Sequence, residues 1–150
     1  MSRCIFCDIV SGGAEASLIH EDAYCSAFLD LYPITPGHAL VIPRRHAVHL
    51  HELPQAERDH LFAVGYQVLE AQRSAGIGWA GANLFLNDGP ASGQHVPHVH
   101  LHLLPRRQGD GRRTLIRFLA RVASLFGRPC PRSELDELAR RVRSGFSPPD

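Results

Sequence analysis

Apolar residues recur along the chain in short alternating or helical patterns, separated by clear turn signals. Residues 23–30 read as a strand that ends before the turn residues Pro33 and Pro36-Gly37. Residues 38–44 (His-Ala-Leu-Val-Ile-Pro-Arg) read as a second strand, ended by Pro43. Residues 54–74 carry the strongest helical pattern. Leu53, Leu61, Val64, Val68 and Leu69 recur at helical spacing, and Gly76 sits just past the end. Residues 82–87 and 98–104 are further strands, closed by Asp88-Gly89-Pro90 and by Pro105, and a short strand at 18–20 makes five. The order β-β-β-α-β-β-α predicts an α+β fold: a five-stranded, largely antiparallel sheet with a long helix on one face.

The last third reads differently. Leu115, Phe118, Leu119, Val122 and Leu125 mark an amphipathic helix on which Arg117 and Arg121 are expected to face outward. Leu135, Leu138 and Val142 mark a final short helix, and Ser133 with Asp136 resembles a capping box at its start. The chain is therefore divided into a domain at 1–107 and a helical extension at 108–150 packed on the same domain.

Composition narrows the class. With 150 residues, 44% of them hydrophobic and 21% charged, the chain can fill one core and is not a disordered sequence. Its apolar runs are too short for a membrane span, and the start Met1-Ser2-Arg3-Cys4 lacks the apolar stretch of a secretory signal. A cytoplasmic protein without membrane partners is expected. Four cysteines then point to free thiols or a metal site and not to a disulfide framework.

The net charge of +1 conceals an asymmetry. There is no lysine; residues 1–105 hold five Arg against ten acids, and residues 106–150 hold eleven Arg against five. The arginine-rich tail is a solvated helix face or a docking surface for an anion. Nucleic acid is not the expected partner, because Phe118, Phe126 and Phe146 are too few aromatics for base stacking.

The chemistry concentrates in Gly93-Gln94-His95-Val96-Pro97-His98-Val99-His100-Leu101-His102-Leu103-Leu104. On a strand, His98, His100 and His102 share one face about 6.5–7 Å apart, while Val99, Leu101 and Leu103 share the other. Three imidazoles in a row are a poor core, because each buried ring nitrogen needs a partner. Two chemistries compete. Three histidines and a water suit zinc, yet ligands at i, i+2 and i+4 diverge along one strand, so that two can converge more readily than three. Alternatively the middle imidazole is a nucleophile whose neighbours set its tautomer and bind charge.

The segment from His98 to Leu104 resembles the His-φ-His-φ-His-φ-φ signature of the histidine triad family. The resemblance extends to Cys4-Ile5-Phe6-Cys7, Ala27-Phe28-Leu29-Asp30, the stretch Pro36-Gly37-His38 through His46, and Asn87-Asp88-Gly89, and covers roughly residues 4–107. It implies a homodimeric nucleotidyl hydrolase or transferase acting at the α-phosphate of a nucleotide, with purine, typically adenine, as the base. It implies His100 as the nucleophile and His102 as a phosphate ligand. Asn87, Gly93, Gln94 and His95 would meet phosphate and leaving group, with His95 a candidate proton donor. Asp30 would bind the ribose, with Phe28, Leu29 and Leu31 as walls of the base pocket. His95 departs from the serine of the phosphoramidase branch and the threonine common in the dinucleoside polyphosphate branch, which leaves both leaving groups open. A nucleotide-binding module with little turnover is a third reading.

Similarity to bacterial members also implies a structural zinc on Cys4, Cys7, His46 and His98, with no catalytic metal required. Cys25 and Cys130 are expected to be unpaired thiols. His38 is expected to be structural, and His49, His51 and His60 solvated. Dimerisation is expected through the main helix and the 82–87 edge. The tail is expected to close over one side of the pocket and offer an arginine from among Arg106, Arg107, Arg112 and Arg113.

Overall fold

The computed structural model describes residues 4–123, 125 and 127–149. The start at Met1, Ser2 and Arg3 and the tail aromatic Phe126 lie outside the described residues. Five strands form one sheet in the order β1-β2-β3-β5-β4, with every neighbouring pair antiparallel. They are β1 (Ser17–Glu21), β2 (Cys25–Leu29), β3 (Ala39–Pro43), β4 (Gly81–Leu86) and β5 (Leu101–Arg106). The helices are α1 (Ile5–Val10), α2 (Gln55–Ser74), α3 (Gly111–Val122) and α4 (Arg132–Arg143). This is the expected α+β architecture.

Strand alternation sorts the sheet's two faces. Ala27, Leu29, Ala39, Val41, Leu101 and Leu103 point into the main core with Leu61, Val64 and Val68 of α2 and Leu135, Ala139 and Val142 of α4. The opposite face carries Phe28, Leu40 and Ile42, capped by Phe6 of α1. His100 and His102 belong to that second face, alternating with Leu101 and Leu103. The helix α2 lies close under β5. At Gly65 a Cβ would come within 2.8 Å of Leu101 Cδ2, so glycine lets helix and strand approach without moving that side chain.

Several expectations need correction. The triad strand does not begin at His98; β5 starts at Leu101. Continuing the β3–β5 register would set Pro43, which has no N–H, opposite Val99, so the ladder stops and the Val99 N–H donates instead to Ala47 at 2.8 Å. Nor does Pro105 end the strand. Past Leu103 only β4 flanks β5, and Pro105 sits on a local edge where a missing donor is tolerated. Ser133 does not cap α4, which already begins at Arg132 after Pro131; Asp136 accepts instead from the Ser17 hydroxyl at 2.6 Å and ties the helix to β1. The helix α1 was not anticipated, because six residues are too few to show a period.

The face of α3 is also reversed. Arg117 and Arg121 point at the body, while Leu115, Leu119 and Val122 are more than half exposed. The surface beneath this helix is polar backbone: Arg117 donates to the Ile34 carbonyl and Arg121 to the Tyr32 carbonyl. Guanidinium groups satisfy those acceptors, whereas leucines would have left them unpaired. Among the described residues, no helix is long and apolar enough to cross a membrane.

Candidate functional site

His98, His100 and His102 are all buried, and each has its tautomer fixed by hydrogen bonds that trace back to a backbone group with only one role. A carbonyl only accepts. The ring bonded at 2.7 Å from His100 Nδ1 to the His98 carbonyl therefore carries its hydrogen on Nδ1, which leaves the lone pair on Nε2. His98 bonds through Nε2 to the Pro43 carbonyl at 2.9 Å, so its lone pair is on Nδ1. For His102 the constraint runs through His38. The Ile34 N–H donates to His38 Nδ1 at 3.1 Å, so His38 Nε2 carries hydrogen and donates to His102 Nδ1 at 2.9 Å. His102 is left with an Nε2–H donor. Two adjacent rings, 4.8 Å apart between centroids, thus present a lone pair and a donor. They lean closer together than ideal strand spacing gives.

Burial keeps these rings neutral. Desolvation is the largest influence on each, lowering the pKa of His38 and His98 to about 4 and those of His100 and His102 below the ordinary histidine value. The nearby charge of Arg121 pushes His38, His100 and His102 the same way.

The rings of His100 and His102 open into a cavity of about 590 Å³. Phe28, Leu29, Asp30, Leu31, Asn87, Gly93 and His95 also line it, so most of the candidates converge on one space. Phe28 is both wall and core, packing edge-on to Phe6 at 5.9 Å. Asn87 Nδ2 donates to the Gly93 carbonyl at 3.3 Å, which joins two of the expected phosphate-loop residues. Gln94 does not line the cavity. Its amide clips loops together, donating to the Val48 carbonyl and accepting from the Gly89 N–H. Asp30 is buried and already engaged: the Tyr32 N–H donates to Oδ1 and Arg121 Nη2 donates to Oδ2, both at 2.8 Å.

Among the described residues two arginines line the cavity, Arg121 and Arg132, and neither is one of those expected. Arg106 pairs with Asp110, Arg107 is exposed just after β5, and Arg112 and Arg113 are exposed on α3, so none of the four lines the cavity. Sequence reasoning also missed His38 as the residue that orients His102, Phe6, and Phe85, which stacks on His102 at 4.4 Å. Position 38 lies two residues before Leu40, the strand partner of His102, but that signal exists only once the register is known. His60 is not simply solvated, since its Nε2 lies 2.7 Å from Asp22; His49 similarly bonds Asp88.

A second cluster lies beside the cavity. One ligand atom from each of Cys4, Cys7, His46 and His98 falls within 4.8 Å of the others. The contacts are 3.5 Å from Cys4 Sγ to His98 Nδ1, 3.3 Å from Cys7 Sγ to His46 Nδ1 and 3.6 Å from Cys7 Sγ to His98 Nδ1. A tetrahedral zinc with ordinary Zn–S and Zn–N bonds sets sulfur and nitrogen about 3.6 Å apart. The donor set, spacing and His98 tautomer therefore fit one zinc ion, with the Pro43 carbonyl orienting the His98 ring from behind.

The HIT domain family model matches residues 11–109. An uncharacterized HIT-like protein of Mycobacterium tuberculosis is 43% identical over 107 residues, 71% of this chain and 74% of that protein. The adenosine 5'-monophosphoramidase hnt1 of Schizosaccharomyces pombe is 39% identical over 103 residues, 69% of this chain and 74% of that protein. The crystal structure of a Zn-bound histidine triad family protein from Mycobacterium smegmatis matches with a TM-score of 0.77 and 39% identity. That match covers 95% of this chain and 91% of the other.

Proposed function

Because the chain belongs to the histidine triad (HIT domain) family, we propose that it is a hydrolase cleaving nucleotides at the α-phosphate through a covalent nucleotidyl–His100 intermediate. The observation that carries this reading is the tautomer pair: His100 with a lone pair on Nε2, beside His102 with a hydrogen on Nε2. The first is a neutral nucleophile and the second a donor for the non-bridging phosphate oxygens. His100 Nε2 attacks the α-phosphorus, the bond to the leaving group breaks, and the leaving group takes a proton, for which His95 in the cavity wall is the candidate donor. Water then cleaves the phosphorus–nitrogen bond and restores the imidazole.

In this reading Asp30 takes the ribose hydroxyls, Phe28, Leu29 and Leu31 hold a purine base, and Asn87 and Gly93 meet the phosphate side, with Gln94 holding the loop in place. Residues 1–107 are the triad domain and 108–150 its helical extension. Cys4, Cys7, His46 and His98 hold a structural zinc, which takes no part in the chemistry. The likeness to the monophosphoramidase hnt1 favours an adenosine phosphoramidate as substrate. Parallel turnover assays on an adenosine phosphoramidate and a diadenosine polyphosphate test this. Faster turnover of the phosphoramidate is expected. Faster polyphosphate cleavage would assign the protein to the other hydrolase class, and binding without turnover of either would make it a binding module.

The active form is a homodimer. β4 is an edge strand of the sheet, and Phe62 and Tyr66 of α2, Trp79, and Leu84 of β4 are exposed apolar side chains that a partner could cover. A two-fold contact covers such side chains on both copies. Light scattering at micromolar concentration is expected to give twice the 16.6 kDa chain mass. Phe62→Glu is expected to give monomers, and a monomeric wild type would overturn the assignment.

A further inference from the structure

The helix α3 is held to the body mainly by polar contacts. Thr114 is its buried residue, Leu115, Ile116 and Leu119 are more than half exposed, and Val122, also exposed, lies at the cavity's margin. Its second half is attached by Arg117 to the Ile34 carbonyl, by the edge-on contact of Phe118 with Phe85 at 5.6 Å, and by Arg121. The Arg121 fork divides between the Tyr32 carbonyl at 2.9 Å and Asp30 Oδ2 at 2.8 Å. Both Asp30 and Arg121 line the triad cavity.

This contact conflicts with a ribose on Asp30. One oxygen of the carboxylate holds the Tyr32 N–H and the other holds a guanidinium. Hydroxyls arriving there must displace the guanidinium or share its oxygen. Arg121 cannot escape by losing its charge, because guanidinium stays protonated in proteins. It lines the same cavity as the rings of His100 and His102. A displaced Arg121 therefore has one good destination close by: an anion held at those rings. Its planar fork suits the oxygens of a phosphate.

We infer that Arg121 is a specificity-determining residue that exchanges anions on substrate binding, passing from Asp30 to the phosphate of the nucleotide as the ribose hydroxyls take its place. The inference rests on the assignment of the cavity to nucleotides. Its consequence is discrimination. A nucleotide completes the exchange, since hydroxyls replace the guanidinium at Asp30 and phosphate replaces Asp30 at the guanidinium. An unphosphorylated nucleoside completes only half and strands a charge.

Calorimetric titration of adenosine and of AMP into the full chain tests this with three variants. In Arg121→Gln the resident competitor and the phosphate ligand are both removed. Adenosine is expected to bind more tightly and AMP no more tightly, so the AMP-to-adenosine affinity ratio falls by about tenfold or more, the value of one charge-assisted contact. Arg121→Lys keeps the charge without the fork and is expected to fall between, and it carries the test if the glutamine variant does not fold. Arg117→Gln removes the neighbouring tether of the same helix and is expected to keep the wild-type ratio. An unchanged ratio in Arg121→Gln, or an equal fall in Arg117→Gln, overturns the role of Arg121 while leaving the nucleotide site in place. Failure of both ligands to bind the wild type overturns the nucleotide reading and this inference with it.

Discussion

His100→Ala is expected to reduce turnover of an adenosine phosphoramidate by at least about 10⁴-fold while nucleotide affinity changes by less than about tenfold. Removing a covalent nucleophile removes the intermediate itself, and a loss of that size is about 5 kcal/mol of barrier. His102 is no substitute. Its Nδ1 lone pair is occupied by His38 and its Nε2 carries hydrogen, so it has no nitrogen to offer phosphorus. Affinity should survive because Asp30 and the apolar walls do not depend on the His100 ring. The alanine variant leaves the His98 carbonyl without its donor, which costs stability. His100→Asn restores an amide donor near that carbonyl without a nucleophile, so equal inactivity in a well-folded Asn variant isolates the chemistry. Near-wild-type turnover in either protein, purified from a host lacking related hydrolases, would show that the intermediate does not form on His100.

Zinc removal is expected to produce the second large effect, on stability. Elemental analysis should find about one zinc per chain, and Cys4→Ser with Cys7→Ser should find none. The two cysteines bracket the start of α1, a helix of six residues that cannot stand alone. Without the metal, α1 keeps the packing of Phe6 against Phe28, His98 and His100. A loss on the order of 3 kcal/mol would lower the melting temperature by roughly 10 °C in a chain of this size. The effect depends on pH in a defined direction. Burial, followed by the neighbouring Cys4, holds the Cys7 thiol up at about 11, so metal binding must release its proton. Zinc affinity should therefore fall as pH is lowered, and the melting temperatures of zinc-loaded and stripped protein should converge in acid. Equal melting temperatures at neutral pH would remove the structural role, and a direct bond from zinc to His100 would make the metal catalytic.

The histidines of the triad were legible because a period of two is a statement about faces that needs no partner strand. Leu101 and Leu103 went to the core, and His100 and His102 to the cavity, as alternation requires. The long helix was legible for the same kind of reason, since Leu61, Val64 and Val68 repeat on one side over about two turns. What the pattern could not carry is the identity of the surface an element meets. The helix α3 has a strong apolar stripe, yet it lies over the carbonyls of Tyr32 and Ile34, so its arginines turned inward. His38 looked like a turn residue until the β3–β5 register placed it beside His102. Where β5 begins depended on Pro43, a residue of another strand.

The missing side chain at Gly65 bears on the rate of the reaction. Leu101, which it admits, sits on β5 between the two rings that meet the cavity, so the position of the triad relative to the cavity is set from beneath, by the thickness of the layer between α2 and the sheet. A single methyl group at position 65 would come too close to Leu101 and force either a rotamer change in a filled core or a displacement of the strand. Displacements of about an ångström are enough to lower reaction rates by orders of magnitude. The reaction is therefore sensitive to mutation at a residue with no functional group and no contact with substrate, and a survey of the cavity walls alone would pass it by.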